Sequence, residues 1–145
     1  MNSRSPMPKA DPRIRPLTAR DLDAVVAIDA ALGGRTRRAY IERRLDQAKR
    51  APELHVQFGV DEGGALAGYV LGRVLEGEFG RTHPALRLEL IGVKPGLQRH
   101  GIGAALEQAL EAEAGKRGIR ELRTASAWRD HAMLRFLDKS GWRLS

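Results

Sequence analysis

The sequence predicts an α/β (α+β) fold: one mixed, mostly antiparallel sheet with helices on both faces. Three observations carry this. Leu54, Val56, Phe58 and Val60 alternate with smaller or polar residues, the turn Asp61–Gly64 follows, and Ala65 to Leu75 returns as a second strand, which reads as an antiparallel hairpin. A strand, a long helix and a further strand follow between residues 85 and 127, which implies a parallel crossover. Two stretches of helical periodicity precede the hairpin and supply apolar faces to cover a sheet.

The elements follow in the order β-α-α-β-β-β-α-β-α. Residues 1–12 hold three prolines and no periodicity and read as a flexible leader, with one domain over residues 13–145. Ile14 and its neighbours form a short strand stopped by Pro16. Thr18 is a suitable helix N-cap, with Asp21 three residues on. Leu22, Val25, Ile28 and Leu32 then recur at helical spacing up to Gly33–Gly34. A second helix from about Thr36 to Arg50 puts Tyr40, Ile41, Leu45 and Ala48 on one face. Arg37, Arg38, Arg43, Arg44, Lys49 and Arg50 crowd its other face. After the hairpin comes a loop, Glu76 to Pro84. In the strand ALRLELIGV, regular alternation sets Leu86, Leu88 and Leu90 opposite Arg87, Glu89, Ile91 and Val93. The next helix buries Ile102, Leu106, Ala109 and Leu110 and stops at Gly118. Leu122 to Ala127 is a strand, and Asp130 caps a last helix with Met133, Leu134, Phe136 and Leu137.

Bulk properties exclude several classes. With 145 residues, 42% of them hydrophobic, the chain suits one globular domain rather than a disordered tail. No apolar run approaches the roughly 20 residues of a membrane span, and the first residues lack a signal peptide's apolar core. There is no cysteine, which excludes disulfides, thiolate metal sites and a cysteine nucleophile and fits a cytoplasmic protein. No metal site is expected. The net charge is +7, with 18 acidic residues interspersed among 25 basic ones. Such a surface attracts phosphorylated cofactors, acidic proteins or nucleic acid. For nucleic acid, charge is the only support, because aromatics make up 5% of the chain and form no stacking motif.

The chemistry concentrates in VKPGLQRHGIGAAL, Val93 to Leu106, where a strand runs into a helix. A helix N-terminus presents N–H groups without intrahelical partners and carries about half a positive charge. Glycines at 96, 101 and 103 let an anion approach the backbone, and Arg99 and His100 offer side-chain donors. A Walker A loop fails because Ile102 stands where its lysine belongs. A dinucleotide fingerprint fails because Leu106 replaces its third glycine.

The same stretch resembles the coenzyme A signature of the GNAT superfamily of N-acetyltransferases, Q/R-x-x-G-x-G/A, met by Gln98, Gly101 and Gly103. Val93 and Pro95 resemble the family's approach to that loop, and FLDKSGW resembles its LYEKxGF. The resemblance runs from about Arg13 to Trp142. It implies acetyl transfer from acetyl-CoA to a primary amine of a protein, peptide or small molecule, with no metal and no covalent intermediate. Amides from Gln98 through Arg99, His100, Gly101, Ile102 and Gly103 to Ala104 would hold the pyrophosphate. Backbone groups of Ile91 and Val93 would pair with the pantetheine arm, and the Val93 N–H would serve as oxyanion donor. Glu89 would be the general base if the strand is regular, and a structural glutamate if a bulge turns it away.

Two departures from the family pattern bear on catalysis. The usual tyrosine of the last helix is Leu137 here, so another group would have to protonate the leaving thiolate. Tyr40, Tyr69, His83 and His131 are the candidates. The sequence also stops soon after Gly141–Trp142, short of the usual final strand pair. This leaves the strand from Leu122 with an open edge and implies self-association there, or a natural chain that runs further. A non-catalytic module that binds acyl-CoA therefore stands as the alternative. The arginines of the second helix would face the acceptor entrance and select an acidic or phosphate-bearing acceptor, or else form a solvated face.

Overall fold

A computed structural model describes residues 11–33, 37–76, 84–124 and 143–144. The sheet runs in the order β1 (Ile14–Pro16), β2 (His55–Glu62), β3 (Ala65–Leu75), β4 (Ala85–Val93), β5 (Glu121–Thr124) and β6 (Arg143–Leu144). The first four strands pair antiparallel, while β4–β5 and β5–β6 are parallel. Helix α1 (Leu22–Gly33) and helix α2 (Arg38–Arg50) lie between β1 and β2, and α3 (Ile102–Lys116) joins β4 to β5. Mixed sheet, hairpin and parallel crossover are as the sequence implies. The expected last helix, with Asp130, His131 and Leu137, lies outside the described residues.

Local chemistry explains the junctions. Gly63 and Gly64 both have positive φ, 65° and 81°, as the tight two-residue hairpin turn between β2 and β3 demands. Thr18 and Asp21 form a reciprocal capping box, with Thr18 N–H donating to Asp21 at 2.9 Å. Helix α3 closes on Gly118, φ 71°, with the Ile119 N–H donating to Ala114 at 2.8 Å, the 6→1 bond of a Schellman motif.

Two apolar clusters flank the sheet. Val56, Val70, Leu86, Leu88 and Leu122 pack against Ile102, Leu106 and Leu110 of α3. On the other face Tyr69, Leu71 and Leu90 pack against Val25 and Ile28 of α1 and Ile41 and Leu45 of α2. Leu86 and Leu88 therefore face α3 while Leu90 faces α1 and α2. The expected regular alternation of β4 fails, and the pairing shows why. Leu90 stands opposite Leu71 and Leu88 opposite Gly72, so Glu89 is an extra residue, a β-bulge that reverses facing for the rest of the strand.

Three further expectations are corrected. Tyr40, placed by sequence on one face with Ile41 and Leu45, is 39% exposed, because the inward face of α2 is Ile41, Arg44 and Leu45. Arg44, placed by sequence on the basic face of the second helix, is 2% exposed. The edge of β5 is not open along its whole length, since Arg143 and Leu144 pair with Glu121 and Leu122.

Candidate functional site

β4 delivers the chain into a loop, Lys94 to Gly101, and then into α3. The Lys94 N–H donates to Ala67 of β3 at 2.8 Å. Successive N–H groups of an extended strand point to alternate edges, so those of Val93 and Ile91 point away from β3, toward the β5 side. Among the described residues β5 pairs with β4 only from Leu86 to Leu88. The β4 edge beyond the bulge thus carries the Ile91 and Val93 groups that the sequence put there.

The loop is built from turns, with Leu97 N–H donating to Lys94 and His100 N–H to Leu97. Gly96 takes φ 89° and Gly101 φ 74°, values that a side chain would strain. Gly101 is the N-cap residue of α3, and no side chain caps the helix. The first N–H groups, from Ile102 to Ala104, therefore have no side-chain cap among the described residues, a backbone cradle of the kind that can take an anion. Ile102 itself is fully buried and anchors the helix start against Gly68 of β3. A Cβ on Gly68 would come within 2.5 Å of the Ile102 side chain.

The side chains of the loop divide their roles. Gln98 turns back, its Oε1 accepting from the Gly96 N–H at 2.9 Å. His100 pairs through Nδ1 with Glu62 at 2.5 Å. It is a brace for the loop and is not aimed into the cradle. That bond is the chief reason the Glu62 carboxyl lies below its ordinary range. Arg13 reinforces the brace, donating to Glu62 at 2.7 Å and to the His100 carbonyl at 3.1 Å. Sequence reading missed Arg13 and Glu62, which no motif joins to the loop. Arg99, like Lys94 at the start of the loop, is exposed and makes no ion pair among the described residues, so both are available cations.

On the opposite face, Glu89 does not share a side with Ile91 and Val93, because the bulge intervenes. It points to α2, where Arg44 donates from Nε to one carboxylate oxygen and Arg73 lies 3.7 Å from the other. Arg44 also donates to Gln57 at 2.8 Å and to the Gly72 carbonyl at 2.7 Å. Both strands of the bulge are thus clamped by one buried guanidinium. Further along this face the Tyr69 ring covers Gly92, where a Cβ would sit 2.8 Å from it. Burial drives the Tyr69 phenol far above its ordinary range, and Asp29 adds to the shift. Asp29, itself buried, accepts from Arg37. Leu32 of α1 and Tyr40 of α2 are the exposed large hydrophobics among the described residues, and Leu32 reaches within 2.9 Å of where a Gly92 Cβ would sit.

The arginines expected to select an acceptor are largely committed elsewhere. Arg37 pairs with Asp29, Arg38 with Asp23, Arg50 with Asp46, and Arg44 is buried. Among the described residues no group of three or more His, Asp or Glu is placed to hold a metal ion. None of the described helices is long and apolar enough to cross a membrane.

Comparison with known proteins agrees with this geometry. Residues 24–142 match the sequence model of the acetyltransferase (GNAT) family. No curated protein matches the chain by sequence. Among solved structures, it is similar to a ribosomal-protein-alanine N-acetyltransferase from Brucella melitensis biovar Abortus 2308. That pair shares 21% identity over 87% of each chain, with a TM-score of 0.67. It is also similar to AAC(6')-Iy, solved with a bisubstrate analog of CoA and acetylneamine, at 16% identity, 90% and 89% coverage and TM-score 0.72. An acetyltransferase of Trypanosoma brucei gives 21%, 90% and 91%, and 0.68. At these identities the likeness is one of fold.

Proposed function

The chain belongs to the acetyltransferase (GNAT) family, and from that premise we propose that it transfers an acetyl group from acetyl-CoA to a primary amine by direct attack. The observation that carries this reading is the start of α3 behind Gly101, which no side chain caps among the described residues, beside the stretch of β4 beyond Leu88 that no described residue of β5 pairs. On this reading the amides from Gln98 to Ala104, aided by Arg99, hold the pyrophosphate. Gly101 and Gly103 keep the approach clear, and His100 keeps the loop in place. Ile91 and Val93 pair with the pantetheine arm as an added strand would. The lack of cysteine suits a cytoplasmic setting.

The Val93 N–H donates to the carbonyl oxygen as negative charge gathers there, the role of an oxyanion donor. The amine nitrogen bonds to the carbonyl carbon, the carbon–sulfur bond breaks, and the thiolate leaves with its electron pair. An amine arriving past Leu32 and Tyr40 comes from the face that Glu89 occupies. The bulge removes the direct base role expected of a regular strand, and with four residues of strand, about 13 Å, between Glu89 and Val93, the amine's proton reaches its carboxylate only through water. Arg44 holds that carboxylate in place.

The test is incubation with acetyl-CoA and a panel of amines, following thermal stability and free thiol together. The reading expects both to rise. A ligand at 100 times its Kd stabilises by about 2.7 kcal/mol. Stabilisation without thiol release would make the chain a binding module, and neither response would overturn the site.

A further inference from the structure

Arg73, Arg87 and Arg123 stand in direct register across β3, β4 and β5. Register partners project to the same face of a sheet. Here it is the face opposite α3, since their neighbours Val74, Leu86 and Leu122 pack on the α3 side. Strands lie about 4.8 Å apart, so the row spans about 10 Å. Like charges placed directly opposite one another destabilise a sheet, and among the described residues local acids answer the two ends alone. Arg73 donates to Gln47 at 2.8 Å and approaches Glu89, while Arg123 donates to Glu121 at 3.0 Å. Their side chains remain 41% and 39% exposed. Arg87, between them, is exposed and has no partner among the described residues.

We propose that this row docks the acidic side chains of a polypeptide acceptor. The proposal rests on the transfer reading above and deepens it by naming the class of acceptor. Guanidinium forks match carboxylates in geometry as well as charge. Arg87 and Val93 lie six residues apart on β4, about 20 Å. A small amine cannot engage both, whereas about six residues of extended polypeptide can. A polycationic sugar would be repelled by the row. Among the described residues no exposed aromatic other than Tyr40 is present to stack bases, which separates the row from a single-stranded nucleic acid site. Acid selection, expected on α2, moves to the sheet.

The experiment is fluorescence anisotropy with two labelled peptides. Each has a free N-terminal amine followed, about six residues on, by a run of glutamates or of glutamines. The wild-type protein should bind the glutamate peptide at least about tenfold more tightly. Arg87→Glu, an exposed change, should erase that preference without altering affinity for coenzyme A. Equal binding of the two peptides would overturn the proposal, as would an undiminished preference in Arg87→Glu. Displacement by single-stranded RNA as readily as by unlabelled glutamate peptide would do so too. Coenzyme A is titrated separately, so a failure to bind it strikes the transfer reading and leaves the peptide comparison intact.

Discussion

Arg44 of α2 donates to Glu89, the residue by which β4 exceeds β3, and so holds the bulge from the helix side. The pair is nearly dry, with side chains 2% and 12% exposed. Removing one partner of such a pair costs about 3–5 kcal/mol, because the remaining charge stays buried. Arg44→Met should lose that much stability in urea unfolding. Adding Glu89→Leu should restore part of it. A loss below about 1 kcal/mol, the range of an exposed pair, would contradict the clamp.

The proton role of Glu89 separates from its structural role in a pH profile. Glu89→Gln keeps the shape and a hydrogen-bond acceptor for Arg44 but cannot take a proton. The acidic limb of kcat/KM should disappear in this variant while acetyl-CoA affinity stays unchanged. An intact limb would leave Glu89 as an anchor only.

Gly68 is predicted to admit no side chain. A Cβ there meets Ile102 at 2.5 Å and the Gly92 carbonyl at 3.1 Å, at the base of the proposed cradle. Gly68→Ala should cost about 1–3 kcal/mol and weaken coenzyme A binding, read by calorimetry. Gly115, within α3, has nothing within 4 Å of its Cβ position. Gly115→Ala should instead stabilise by about 0.5–1 kcal/mol.

His55 gives a pH signature. Burial is the main cause of its lowered pKa, and Arg44 and Arg73 add to it against the bond to Ala51. Its Nε2 is buried with no partner among the described residues. Below its ordinary value of 6.5 the unfolded imidazole takes a proton that the folded one resists. Its contribution is therefore present above pH 6.5 and is lost as pH falls through the depressed folded value. Thermal scans should show His55→Leu with a flatter decline than wild type between pH 7 and 5. Parallel declines would contradict this.

What could be read from the sequence was local. Gly63–Gly64, the capping box at Thr18 and the glycines behind α3 each declare their backbone demands within a few residues. The bulge does not, because Leu88 and Leu90 are the same residue type on opposite faces, and LRLELIG reads as unbroken alternation. Arg44 is one of five basic residues on its helix, and only its partners on β2, β3 and β4 distinguish it. The His100–Glu62 brace spans 38 residues and joins two segments whose motifs do not mention each other. The arginine row likewise exists only once three strands are in register.

The central claim is that the open start of α3 holds coenzyme A. A glutamate at Gly103 tests it most directly, since an acid in the first turn favours the helix yet repels an anion. Calorimetric titration should show one coenzyme A bound by the wild type. It should show affinity reduced at least about tenfold in a Gly103→Glu variant whose melting temperature is unchanged or higher. Equal affinity in the two proteins would contradict the claim.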